Sequence, residues 1–179
     1  MTMLKAISGN PSLSLTLLLI AACASASLIF ACATPFVAFA VIAAALLPLR
    51  QALVTMLVVW LANQAIGFGI LGYPRTFDAA LAGLFILGAM IAATIVAERV
   101  FHALASLGRL ATYPLALIAA FAVFEVLLLA VTPLTGGAET FALGIVGQIA
   151  FTNAVWLAGL VAIVEVARTV GATQHSATR

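Results

Sequence analysis

The stretch Trp60–Asp78, WLANQAIGFGILGYPRTFD, sets two carboxamides in the middle of an apolar run and closes it with a charged turn. Trp60, Gln64 and Phe68 follow one another at i, i+4, i+8, with Asn63 and Gly67 beside them, so aromatic, amide and bare-backbone groups share one helix face. An unpaired amide in hydrocarbon costs several kcal/mol, so that face looks into protein and not into lipid. Asn63 and Gln64 then find partners in neighbouring helices, in water or in a ligand.

The surroundings of this stretch establish that the hydrocarbon is real. Hydrophobic residues make up 66% of the chain and charged residues 7%, with a mean hydropathy of +1.32. That leaves too little polar surface to cover a soluble globule, and predicts an all-α, polytopic membrane protein whose one transmembrane domain takes up residues 1–179. Its direct partner is the lipid bilayer. A net charge of +2 from scattered Lys and Arg gives no footprint for nucleic acid.

Apolar runs and their breaks divide the chain into about six spans. After an N-terminal segment, 1–12, the first run is Leu13–Ala31, whose second half is mostly Ala and Ser and lets another helix approach closely. Ile20-Ala21-Ala22-Cys23 has the form of a lipoprotein cleavage site, but the apolar character continues through Phe30, which argues for a span. Pro35 opens a short second span, Phe36–Leu47, ended by Pro48-Leu49-Arg50. The third is Gln51–Leu71 and the fourth Phe77–Val100, after which Glu98, Arg99, His102 and Arg109 read as an amphipathic connector. Leu110–Val131 is the fifth, and Thr132-Pro133-Leu134-Thr135-Gly136-Gly137 a loop. The sixth is Thr140–Val166, before a polar tail at 171–179.

Orientation follows from the basic residues. With the N-terminus cytoplasmic, Lys5, Arg50, Arg99, Arg109, Arg168 and Arg179 all fall on the inner side of a cytoplasmic (inner) membrane, the C-terminus with them, and Arg75 alone falls outside. The polar residues inside the spans then share one depth. Gln64, Glu125 and Gln148 each lie some seven or eight residues from the outer end of their span, about 10–12 Å deep. Gly144, Gln148, Thr152 and Trp156 extend the set on one face of the sixth span, with Asn153 adjacent. These residues outline an outward-opening polar cavity in which Glu125 is protonated, paired or wet.

The two cysteines, Cys23 and Cys32, stand too far apart along a helix to pair. Cys23 reads as packing. Cys32 sits at the outer mouth of the cavity, as a small buried hydrophobe or, deprotonated, as a soft ligand for a transition metal. No Cys/His cluster has zinc spacing. No nucleophile and base stand at a spacing that suggests chemistry, so an enzyme is not expected.

Six short spans with both ends inside, a chain of 179 residues and an outward pocket resemble the substrate-binding S components of energy-coupling-factor vitamin transporters. Cys32-Ala33-Thr34-Pro35-Phe36 looks like the Cys-x-Thr-Pro-aromatic stretch of the solitary cobalamin transporters of that group, the BtuM family. The chain departs from their pattern in having no acidic residue just before Cys32, no histidine-rich outer segment, and Phe36 in place of a small residue followed by Tyr. The resemblance implies uptake of a vitamin-sized compound, cobalamin in particular. Cys32 would approach the corrinoid cobalt, and Thr34, Asn63, Gln64, Glu125, Gln148, Thr152 and Trp156 would contact the substrate. Cobalamin would be substrate and not cofactor. No Gly-x-x-x-x-Gly-Lys-Ser/Thr motif is present, so energy would come from an ATPase coupling module or a gradient. Two rival readings are a transition-metal ion permease using Cys32 and Glu125, and a membrane assembly subunit whose polar residues only join helices.

Overall fold

Phe36 to Leu46 contains no polar side chain, so no face of this helix needs water and all of it can be enclosed. In the computed structural model each residue from Phe36 to Ala44 is buried, and the other helices gather round this short rod. The structure describes residues 11–30 and 34–177. Among them the α-helices are α1 (Pro11–Phe30), α2 (Phe36–Leu46), α3 (Leu49–Gly69), α4 (Phe77–Ala103), α5 (Arg109–Thr135) and α6 (Leu143–Ala177), with single 3₁₀ turns at Ala105–Leu107 and Ala138–Phe141. All but α2 are long and apolar enough to cross a membrane. Large apolar side chains such as Leu28, Ile118, Leu143 and Phe151 lie on the outer surface, where hydrocarbon and not water suits them.

The contacts fix the directions of the helices. Thr16 meets Thr55, Cys23 meets Val59 and Ser27 meets Asn63, so α1 and α3 run parallel. α2 brings the chain back between them. α4 and α5 form the most extensive pair, an antiparallel hairpin closed where Phe101 meets Tyr113 edge-on at 5.4 Å. α6 packs mainly on α2 and meets α5 sparingly.

At eleven residues α2 is about 16 Å long, half the thickness of a hydrocarbon core. Its first N–H groups therefore open inside the bundle, where an unpaired donor is costly. Asn153 resolves this from α6: its Oδ1 accepts the Ala38 N–H at 2.9 Å while its Nδ2 donates to the Ile149 carbonyl at 2.9 Å. The side chain is almost wholly enclosed, and acts as a helix cap contributed by another helix.

Three boundaries differ from the sequence expectation. The amphipathic connector does not form: α4 continues to Ala103, because its apolar face packs on α5 beyond Val100, and Gly108, at φ 77°, turns the chain directly into α5. α5 also runs past Pro133 to Thr135. Pro133 cannot donate to the Leu129 carbonyl, but the Thr132 hydroxyl does so at 2.9 Å, which satisfies the oxygen that proline strands. α6 continues to Ala177, through Gly171 where the tail was expected to begin.

Candidate substrate-binding site

The opening stretch builds one wall of the candidate site. The Trp60 indole N–H donates to the Gly83 carbonyl of α4 at 2.8 Å, and Gln64 lies against the bare Cα of Gly83, where a Cβ would come 3.0 Å from Gln64 Oε1. Gly67 has a similar role one turn on. The Tyr73 ring folds back over it, so close that a Cβ there would lie 2.7 Å from Tyr73 Cδ2. The turn that makes this possible has Gly72 at φ 69° and a Tyr73 N–H to Gly67 carbonyl bond of 3.0 Å. Thr76 then caps α4 by accepting the Ala79 N–H at 3.3 Å.

Asn63 points the other way, toward α1 and the start of α2. Its Nδ2 donates to Ser27 Oγ at 3.0 Å and lies 3.4 Å from Thr34 Oγ1, and those two hydroxyls are 3.3 Å apart. Gln64 Nε2 reaches Asn63 Oδ1 at 3.4 Å. Cys23, one turn below Ser27, extends the line: its thiol donates to the Val59 carbonyl at 3.7 Å and lies 3.9 Å from Ser27 Oγ. Five polar side chains from α1, α3 and the entry to α2 thus make one chain of neutral donors and acceptors. Its nitrogen and oxygen links span 3.0–3.4 Å, and those to sulfur are longer, as the larger atom requires.

Of the residues expected to bind substrate, Thr34, Asn63 and Gln64 come together here. Cys32 lies outside the described residues. Trp156 packs edge-on against Phe39, with ring centroids 6.0 Å apart, and lines an apolar groove with Leu18, Ala22 and Leu160. The Thr152 hydroxyl donates to the Gln148 carbonyl of its own helix at 2.9 Å. Glu125 is half-buried on α5 and Gln148 is exposed on α6. Among the described residues no hydrogen bond joins Glu125 to Gln64 or Gln148.

Ser27 and Cys23 belong to the polar interior but were not among the expected site residues, and Asn153, expected beside the cavity face of the sixth span, caps α2 instead. The signal for the first two was present in the i, i+4 spacing of Cys23 and Ser27 on the small-residue helix. For Asn153 the spacing marks a polar position on the sixth span but not its partner, which is a backbone N–H from another element. Among the described residues, cavities of about 400–490 Å³ open on the surface between the end of α2, the end of α4 and the start of α5, between α1 and α6, and at the start of α1 and α3. Among the described residues no three of His, Cys, Asp and Glu converge as a metal site would require. Comparison of the chain with protein-family models, curated proteins and solved structures gives no match.

Proposed function

We propose that this chain is a multi-pass transport protein, or the substrate-binding membrane subunit of one, and that it takes up a vitamin-sized compound across the cytoplasmic membrane. The observation that carries this reading is the Ser27, Thr34, Asn63 and Gln64 cluster, in which amides and hydroxyls are brought inside the bundle and meet one another at 3.0–3.4 Å. Neutral amides and hydroxyls clustered in this way are the groups that recognise the amides and hydroxyls of a ligand. A corrinoid, with its ring of amide side chains, suits such a surface. Cys32 stands two residues before Thr34 in the chain, where a thiolate would approach the cobalt.

The topology proposed with it has six crossings. α1 and α3 run parallel, so α2 serves as the returning crossing, and the termini lie on one side. Arg50, Arg99 and Arg109 gather at the end of the bundle that holds the start of α1, opposite Arg75, which supports a cytoplasmic position for that end. Energy would enter through an ATPase coupling partner or a gradient.

Equilibrium dialysis of the detergent-purified protein against cobalamin tests the reading, with Asn63→Leu and Gln64→Leu beside the parent chain. Loss of one ligand hydrogen bond at either position weakens binding about 10-fold. Undiminished binding in both variants, or no binding by the parent, overturns the assignment. The latter result would leave the polar cluster as a device that joins helices.

A further inference from the structure

α6 turns one stripe toward the bundle and another away from it. The inward stripe, Asn153, Leu157 and Leu160, is buried, and the helix packs mainly on α2. The stripe on the far side is Gly144, Gln148, Phe151 and Val155, at i, i+4, i+7 and i+11, and all four residues are exposed. A Cβ built on Gly144 would meet no atom of the chain within 4 Å, and the same holds for Gly147 beside it.

Gln148 is the member of this stripe that does not suit lipid. Leu143, five residues nearer the start of α6, is 92% exposed, and Phe151, one turn further on, is 70% exposed. Apolar surface therefore lies on both sides of the amide along a helix whose apolar span is Leu143–Ala167, and the hydrocarbon that suits the leucine surrounds the amide as well. The Gln148 backbone carbonyl accepts the Thr152 hydroxyl, but among the described residues no hydrogen bond reaches its carboxamide. A carboxamide left so in hydrocarbon is strongly unfavourable, and whatever covers it has to supply both a donor and an acceptor. An acyl chain supplies neither.

A second copy of the chain supplies both. Copies inserted in one membrane share one orientation, so two α6 helices related by a twofold axis along the membrane normal run parallel, and each position meets its own equivalent. A carboxamide is complementary to itself, since its NH₂ donates and its C=O accepts, whereas a charged side chain at the same place would meet a like charge. Gly144 and Gly147 present bare backbone next to the amide, which lets the two helices approach closely enough for the pair to form. We propose that the exposed face of α6 is the contact between two copies of this chain in the membrane, with the helices crossing at Gln148. The proposal is independent of the transport reading, whose amide cluster lies on other helices.

The full chain, labelled in separate batches with a donor and an acceptor fluorophore, is reconstituted in liposomes over a range of protein-to-lipid ratios, and association is read by energy transfer. The parent chain is expected to associate. Gln148→Leu weakens the association about tenfold, Gly144→Leu does the same by holding the backbones apart, and Gln148→Asn, which keeps the amide, stays within about threefold of the parent. Phe151→Cys retains the amide and is expected to give a disulfide-linked dimer on mild oxidation, while Val126→Cys, on the exposed side of α5, is not. Thermal unfolding at high lipid dilution, where the copies are apart, shows whether the variants fold as the parent does. A parent chain that stays monomeric at every ratio overturns the proposal, whether Phe151→Cys then captures a different protein in native membranes or nothing at all. Association that Gln148→Leu and Gly144→Leu both leave unchanged overturns it equally, because the contact then lies on another face.

Discussion

Asn153 shows how much a single side chain carries when a helix starts inside a bundle. Asn153→Ala strips the Ala38 N–H of its acceptor in a place that water does not reach, and is expected to cost about 1–3 kcal/mol of stability. Thr152→Ala, one residue away, removes a hydroxyl bonded only within its own helix and is expected to change stability by less than about 0.5 kcal/mol. Thermal unfolding of both variants in one detergent checks the contrast, and equal losses would show that the cap is idle. Trp60→Phe keeps the bulk but deletes the indole donor to the Gly83 carbonyl, for an expected loss of about 0.5–1.5 kcal/mol in the same assay. These partners are legible in the sequence to different degrees. The spacing of Trp60, Gln64 and Phe68 announces an inward face, and that face does meet α4. The destination of Asn153 is a backbone group 115 positions away in the chain, and no local pattern encodes it.

At the scale of the elements, apolar runs and the breaks between them place the helices well and their ends less well. The hydropathy of a run says where hydrocarbon begins, not where a helix stops. α4 continues past its expected boundary because Phe101 still has Tyr113 of α5 to pack on, and α5 because Thr132 covers for Pro133. α2 is the element on which the others depend. Its Ala38, Ala40 and Ala43 are fully buried, so the neighbouring helices close on it at the distance an alanine allows. Ala40→Leu is expected to cost about 1–3 kcal/mol by overpacking, whereas Ala158→Leu on the exposed side of α6 is expected to be tolerated. Comparable losses at the two positions, read by unfolding and by gel-filtration profile, would contradict a central α2.

For the whole molecule, composition alone announces a membrane bundle, and five long apolar helices agree with it. The candidate site was legible in part. Thr34, Asn63 and Gln64 stand on elements whose entry and exit points are close in the chain, so a shared depth is enough to bring them together. For Glu125 and Gln148 the sequence gives an expected depth along the helix but not the rotation about its axis, and rotation is set by packing partners far away in sequence. Reporter fusions test the proposed topology: both termini and the 104–108 turn are expected in the cytoplasm, and the 70–76 and 136–142 turns outside. A terminus found outside would remove the six-crossing arrangement. The most direct test of the transport reading is the visible absorption spectrum of the detergent-purified protein after exposure to cobalamin, recorded beside Cys32→Ala. Corrinoid retained by the parent chain, with a spectrum altered only when Cys32 is present, is the expected result and identifies the substrate class. Absence of corrinoid from both proteins, or identical unaltered spectra in both, would contradict it.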